Sequence, residues 1–423
     1  MNVRAIADLS PDERTALFER DAGIADARSD AREIVERVRT EGDVALREYA
    51  EEFDGVAVGN VDLADEAERA WERLDSDVRA AIEDAIENVR AFHERQLPED
   101  WTESFDGREL GRRFRPIERA GVYVPGGTAA YPSSAIMGVV PADVAGVEQI
   151  AVATPPAEEP ADATLGAIHA AGADRVYAAG GAQAIGALAY GTETVDRVQK
   201  IVGPGNRWVS AAKAEVQGDV EIDFVAGPSE VLVLADADAN PELVAAELVA
   251  QAEHDPNAAV VAVTADEALA NATAEAVEAQ VAERDRTETI EPALDNDASG
   301  VFLARSEPEA VALAEEFAPE HLAIYAADPE AVADRIPSAG SVFLGEYTPV
   351  AAGDYASGTN HVLPTNGLAR VTGGLSVDTF LRASTVQRLD RESLGSIRET
   401  IETLAEAEGL DAHAESVRKR FEE

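Results

Sequence analysis

Apolar positions keep two rhythms along the chain, and the change from one to the other divides it. Before residue 121 the spacing is helical: Pro11 to Arg20 gives one short helix in a polar arm, and residues 25–53 and 63–96 give longer ones. In the last of these Ala67, Ala70, Leu74, Val78 and Ala81 recur at three- and four-residue spacing. From Gly121 short β-branched runs alternate with Ala-rich helical stretches. Strands are predicted at 121–124, 149–153, 175–178, 198–202, 231–235, 259–264, 301–304, 322–325 and 341–344. Strands separated by helical stretches of ten or more residues read as βαβ units with parallel pairing. Nine strands are many for one such sheet, so two α/β domains are expected. After Val377 the pattern is helical, ending in Asp411 to Phe421.

One stretch keeps neither rhythm. Thr348 to Gly367 carries three glycines, two prolines, Asp354 and His361, and reads as a long ordered loop. Such loops within compact domains tend to be functional, so a ligand is expected here.

Composition narrows the class. With 423 residues and 46% hydrophobic content the chain can build two or three cores. It has no run of about eighteen apolar residues and no signal-like N-terminus, so a soluble cytoplasmic protein is expected. The formal charge of -47, from 82 acidic against 35 basic residues, would repel nucleic acid and anionic membranes. The acids are spread along the chain, which fits a surface adapted to high salt, where a Debye length of about 3 Å screens self-repulsion. No cysteine is present, which excludes disulfides, thiolate metal sites and cysteine nucleophiles.

The candidate chemistry lies at a few places. Asn240 and Pro241 signal the start of a helix that runs to Glu253, and Gln251 and His254 share one of its faces. With Asp354 and one more histidine they would make a sulfur-free N/O site compatible with zinc. The plainer reading, a histidine complementing a helix C-terminus, stays open. Glu320 and His321 stand just before the strand at 322–325, and ends of α/β elements are where such enzymes place catalytic groups. A neighbouring carboxylate and imidazole suit acid/base work near neutral pH, against the alternative of a solvated acid beside a buried histidine. His413 follows Asp411, read as an N-cap, and the helix dipole there would keep it neutral, as a metal requires; a solvated histidine is the alternative. His93 and His169 look structural. Two glycine-rich turns, 202–206 and 179–183, would aim helix N-termini at an anion, although neither is GxGxxG and tight packing would explain both. Gly227-Pro228-Ser229-Glu230 is a third such turn.

Taken together, Gly203-Pro204-Gly205-Asn206, Gly227 to Glu230, Gln251-Ala252-Glu253-His254, Pro319-Glu320-His321 and Gly353 to His361 resemble the histidinol dehydrogenase family in order and spacing. The resemblance covers nearly the whole chain. It implies α/β architecture with two incomplete Rossmann-like domains and N- and C-terminal helical arms. The arms would be residues 1–24 and 377–423; the first domain 25–121 plus 230–376, with metal and catalytic residues; the second, 122–229, inserted in it with NAD contacts. It further implies NAD and one zinc (Zn2+) per subunit, held by Gln251, His254, Asp354 and His413, the last supplied across an intertwined homodimer. Glu320 and His321 would be the catalytic pair. Ser229, Gln251, His254, His321, Asp354, His361, Glu408 and His413 would bind substrate, and Tyr123, Gln183 and Asn206 would bind NAD. The implied reaction oxidises L-histidinol through L-histidinal to L-histidine, the final steps of histidine biosynthesis.

The missing cysteine agrees with that chemistry, because an aldehyde cannot then be held as a thiohemiacetal and must be hydrated before its oxidation. The rival readings are a zinc hydrolase on the same ligands and a dehydrogenase for another amino alcohol.

Overall fold

The structure is a computed structural model that describes residues 1–20, 23–126 and 130–422. Two compact units divide the chain: residues 1–96 with 118–380, and residues 97–117 with 381–423.

Among the described residues the strands are β1 (Val3–Ala5), β2 (Trp101–Phe105), β3 (Arg108–Pro116), β4 (Arg119–Tyr123), β5 (Gln149–Thr154), β6 (Arg175–Ala178) and β7 (Lys200–Val202), then β8 (Glu221–Ile222), β9 (Glu230–Ala235), β10 (Ala259–Thr264), β11 (Gly300–Leu303), β12 (His321–Tyr325), β13 (Ser341–Leu344) and β14 (Leu381–Arg388). The larger unit holds two wholly parallel sheets. One is six-stranded, ordered β1-β11-β10-β9-β12-β13, and the other five-stranded, ordered β6-β5-β4-β7-β8. Apart from the added β1, both follow the Rossmann-like order 3-2-1-4-5, so the order in which strands are added reverses between β9 and β12 and between β4 and β7.

Successive side chains of a strand point to opposite faces. Val231, Val233, Val260 and Ala262 accordingly join one core, and Leu232, Leu234, Val261 and Val263 join another across the six-stranded sheet. Both faces are covered, which is why these strands read as unbroken apolar runs. On the five-stranded sheet, Ala31, Val35 and Val38 of the helix Ile24–Glu41 share a core with Ala184, Ile185 and Val209 from the helices Gly181–Tyr190 and Arg207–Val216.

All nine predicted strands form, within two residues of their predicted starts. The helical stretch 25–53 is two helices, because Gly42 at φ 57° breaks it, and 63–96 breaks at the extended Leu74. The N-terminal arm contributes β1 as well as a helix, Pro11–Phe18. Thr348 to Gly367 is not wholly irregular, since Val350–Tyr355 is a short helix.

In the smaller unit β14, β3 and β2 form an antiparallel sheet, and the helices Arg391–Ala407 and Asp411–Arg418 follow. The expectation of helices alone after Val377 therefore fails at β14. That strand is mostly exposed and polar, so it forms by backbone pairing with β3 and shows no apolar alternation.

Candidate functional site

The site of the six-stranded sheet lies where its order reverses, at the amino ends of β9 and β12. This is the edge opposite to the carboxyl ends where open α/β sheets commonly bind ligands. Glu230 opens β9, and His321 opens β12 directly after Glu320. The two strands cross-brace. Glu230 N–H donates to Glu320 Oε2 at 2.8 Å, Glu320 N–H donates to Glu230 Oε2 at 3.3 Å, and His321 Nδ1–H donates to the Glu230 carbonyl at 2.9 Å. A carbonyl only accepts, so Nδ1 carries a proton and Nε2 is the nitrogen that gains or loses one. Nε2 is buried, has no hydrogen-bond partner among the described residues, and lies 3.6 Å from Asp354 Oδ1.

Burial controls the charges. Glu320 is 6% exposed and His321 4%. Desolvation, aided by the negative Glu230, outweighs His321 and pushes the Glu320 carboxyl up to about 8. Desolvation alone would lower His321, but Glu320 and Asp354 overcome it and push the imidazole up to about 9. Burial would also raise Asp354, yet its contacts with His321 hold it below the usual carboxylate range. The three groups share their protons as one titrating unit.

A buried ion pair backs this unit. Arg20 from the N-terminal arm lies 2.9 Å from Glu230, with side chains 3% and 0% exposed, and stacks on the Phe317 ring.

One helix positions the neighbouring metal-type donors. Asn240 caps Pro241–Ala252 by accepting from Glu242 N–H at 3.0 Å. On its inner face Glu247 and Gln251 stand four residues apart. Glu247 accepts from Tyr325 Oη at 3.1 Å and from Val350 N–H at 3.0 Å. Val350 begins the short helix that carries Asp354, so the helix bearing Gln251 also anchors Asp354. His254 follows at the helix end, its N–H donating to the Gln251 carbonyl at 3.2 Å. The residue keeps an exposed edge, while desolvation of its ring lowers its pKa against the opposing pull of Asp354. Gln251 is buried, and its Nε2 has no hydrogen-bond partner among the described residues. Gln251 through its amide oxygen, the His254 imidazole and the Asp354 carboxylate offer a nitrogen and oxygen set of the kind zinc takes. They do not complete a cage of three or more His, Asp and Glu among the described residues.

His361 donates from Nδ1 to the Asp354 carbonyl at 2.9 Å, and its Nε2 lies 3.4 Å from Ser134 Oγ. Ser229 is half-buried at the turn into β9. Glu408 and His413 belong to the smaller unit, Glu408 as the C-cap of Arg391–Ala407 and His413 in the helix Asp411–Arg418. Asp411 is the first residue of that helix rather than its cap, which is Leu410.

The five-stranded sheet gathers its candidates at the carboxyl ends of β4, β6 and β7, the usual dinucleotide edge. Tyr123 Oη accepts from Gly181 N–H at 3.1 Å, at the start of the uncapped helix Gly181–Tyr190 that carries the buried Gln183. Burial pushes Tyr123 up to about 12, so it stays a neutral phenol. Asn206 caps its own helix, accepting from Trp208 N–H at 3.0 Å and Val209 N–H at 3.2 Å. Those two amides, expected to face an anion, are thus already engaged.

Arg20, Glu247, Ser134, Lys213 and Asp223 escaped the sequence reading, as did the side-chain role of Glu230. Only Glu230 left a visible signal, an acid heading the apolar run Val231 to Ala235.

Two Rossmann-like sheets, one with a buried carboxylate–imidazole pair where its strand order reverses, define an α/β enzyme. The histidinol dehydrogenase family profile matches residues 19–421, and the chain belongs to that family. It is 71% identical over 422 residues to a histidinol dehydrogenase of Haloarcula marismortui and 69% identical to one of Natronomonas pharaonis, in each case covering 100% of both chains. The crystal structure of histidinol dehydrogenase from Elizabethkingia anophelis superposes with a TM-score of 0.92 at 38% identity, covering 99% of this chain and 97% of that one.

Proposed function

We propose that the chain is a zinc-dependent, NAD-linked enzyme that oxidises L-histidinol to L-histidinal and then to L-histidine. The observation carrying this reading is the buried Glu320–His321 pair, braced by Glu230, with His321 Nε2 3.6 Å from Asp354 and with Gln251 and His254 on the neighbouring helix end. In the form of the Glu320–His321–Asp354 unit that has shed its shared protons, His321 Nε2 takes the hydroxyl proton of the alcohol while hydride passes to one NAD. Glu320 then removes a proton from water as it attacks the aldehyde carbonyl, whose oxygen takes the proton held by His321; the resulting gem-diol passes hydride to a second NAD as His321 takes one hydroxyl proton, which leaves the carboxylic acid. With no cysteine in the chain, hydration is the available path.

Gln251, His254 and Asp354, completed by His413 of the partner subunit in a homodimer, would hold the zinc. When bound, it supplies a template for the imidazole and amine of the substrate. Ser229, His361 and Glu408 would contact the substrate, and Tyr123, Gln183 and Asn206 the NAD. No helix among the described residues is long and apolar enough to cross a membrane, in keeping with a cytoplasmic biosynthetic role.

The test is NADH formation from L-histidinol in molar salt, with zinc-loaded and chelator-stripped protein. The reading expects two NADH per histidinol, lost on stripping and restored by zinc. One NADH with release of aldehyde would overturn the role of Glu320, and no NADH would overturn the substrate.

A further inference from the structure

The turn between β7 and Asn206 is held by a buried ion pair for which the chemistry above has no use. Lys213 and Asp223 lie 2.6 Å apart with side chains 3% and 2% exposed, so both charges are out of water. Each also grips the peptide groups of Gly203. Asp223 Oδ2 accepts from Gly203 N–H at 2.8 Å, and Lys213 Nζ donates to the Gly203 carbonyl at 2.6 Å. The other oxygen, Asp223 Oδ1, accepts from Phe224 N–H at 2.7 Å, which ties the acid to its own backbone.

Gly203 needs such a grip because the β7 ladder ends at Val202, and from there its N–H and C=O must find other partners. It sits at φ 112°, pressed on β4 so closely that a Cβ would come 2.2 Å from the Tyr123 carbonyl. Tyr123 ends β4 and its hydroxyl faces Gly181, while Asn206 lies three residues beyond Gly203 and opens the helix that carries Lys213. The pair therefore fixes, at one point, the spacing among the three segments at the dinucleotide edge. Lys213 is one of only three lysines in a chain of 35 basic residues, and it is buried.

We infer that Lys213 and Asp223 are positioning residues for the dinucleotide: by clamping both ends of the Gly203 unit they hold the 203–206 turn in its binding conformation. This rests on the NAD reading of Tyr123, Gln183 and Asn206. A buried ion pair contributes little net stability over an apolar pair of similar volume, but losing one partner is costly, so stability and positioning can be separated.

The experiment compares wild type, Lys213→Met and the double variant Lys213→Met/Asp223→Leu in molar salt. It records the melting midpoint, KM for NAD, KM for L-histidinol and kcat. The expected result is a KM for NAD raised tenfold or more in both variants, with kcat and the KM for L-histidinol within threefold of wild type. The double variant regains most of the melting midpoint lost in the single one but not its affinity for NAD. A folded double variant whose KM for NAD stays within threefold of wild type overturns the clamp, and so does a parallel rise in both KM values. If the wild type itself neither turns over nor binds NAD, the NAD reading falls and this inference with it.

Discussion

Glu230 and Glu320 hold each other by crossed hydrogen bonds, each backbone amide donating to the other's carboxylate, at 2.8 and 3.3 Å. Two buried acids this close need a compensating charge, and Arg20 supplies it to Glu230. Arg20→Met leaves Glu230 uncompensated and is expected to cost roughly 3–5 kcal/mol of stability. Urea unfolding in molar salt measures this, and a loss below about 1 kcal/mol would contradict the compensating role.

Glu320→Gln keeps the shape and the acceptor for Glu230 N–H but removes the proposed base. Oxidation of L-histidinal is expected to fall about 10²–10⁴-fold, more than oxidation of L-histidinol. Single-turnover NADH formation from each substrate separates the two steps. Equal rates of aldehyde and alcohol oxidation in the variant would remove Glu320 from the hydration step.

Glu247 touches no proposed ligand atom, yet it holds the start of the helix bearing Asp354. Glu247→Leu is expected to weaken zinc binding about 10–100-fold, as loss of a ligand's support does. Competition with a chromogenic chelator reads this directly, and an unchanged affinity would show that the short helix holds its place without Glu247.

Asp54 is half-buried at the C-terminal end of the helix Asp43–Phe53, and its Oδ2 has no partner among the described residues. Desolvation raises it from 3.8 to about 6. Between those values the folded state binds more protons than the unfolded one, so this group's contribution to stability falls as pH rises through the window and is flat above it. Asp54→Asn should therefore stabilise the fold at pH 7–8, by about 1–3 kcal/mol, and the gain should shrink toward pH 5. A gain that does not change with pH would point to another cause.

With a formal charge of -47 the fold repels itself in dilute buffer. The melting midpoint is expected to rise steadily as salt increases from about 0.1 to 2 M, with potassium chloride as the probe. Full stability at low salt would show that the acidic surface is not an adaptation to brine.

The strands were legible wherever both faces of a parallel sheet are covered, because burial on two sides writes an apolar run into the sequence. β2, β3 and β14 lie largely exposed and leave no such run. The β2–β3 hairpin did carry a local signal, Asp106-Gly107, and both residues have the positive φ, 51° and 82°, that such a turn requires. At the site, Glu320 and His321 stood out as neighbours. Glu247 and Val350, 103 residues apart, did not, because no periodicity encodes which buried acid will cap which distant amide.

The pairing of β9 with β12 places His321 opposite Val231, one residue past Glu230. A shift of one residue would turn every side chain of β12 to the other face and part the imidazole from its carbonyl. Catalytic competence is thus an indicator of correct strand alignment inside the six-stranded sheet. During refolding, turnover should return only with the last cooperative step, and a collapsed species with secondary structure but slipped strands should be silent.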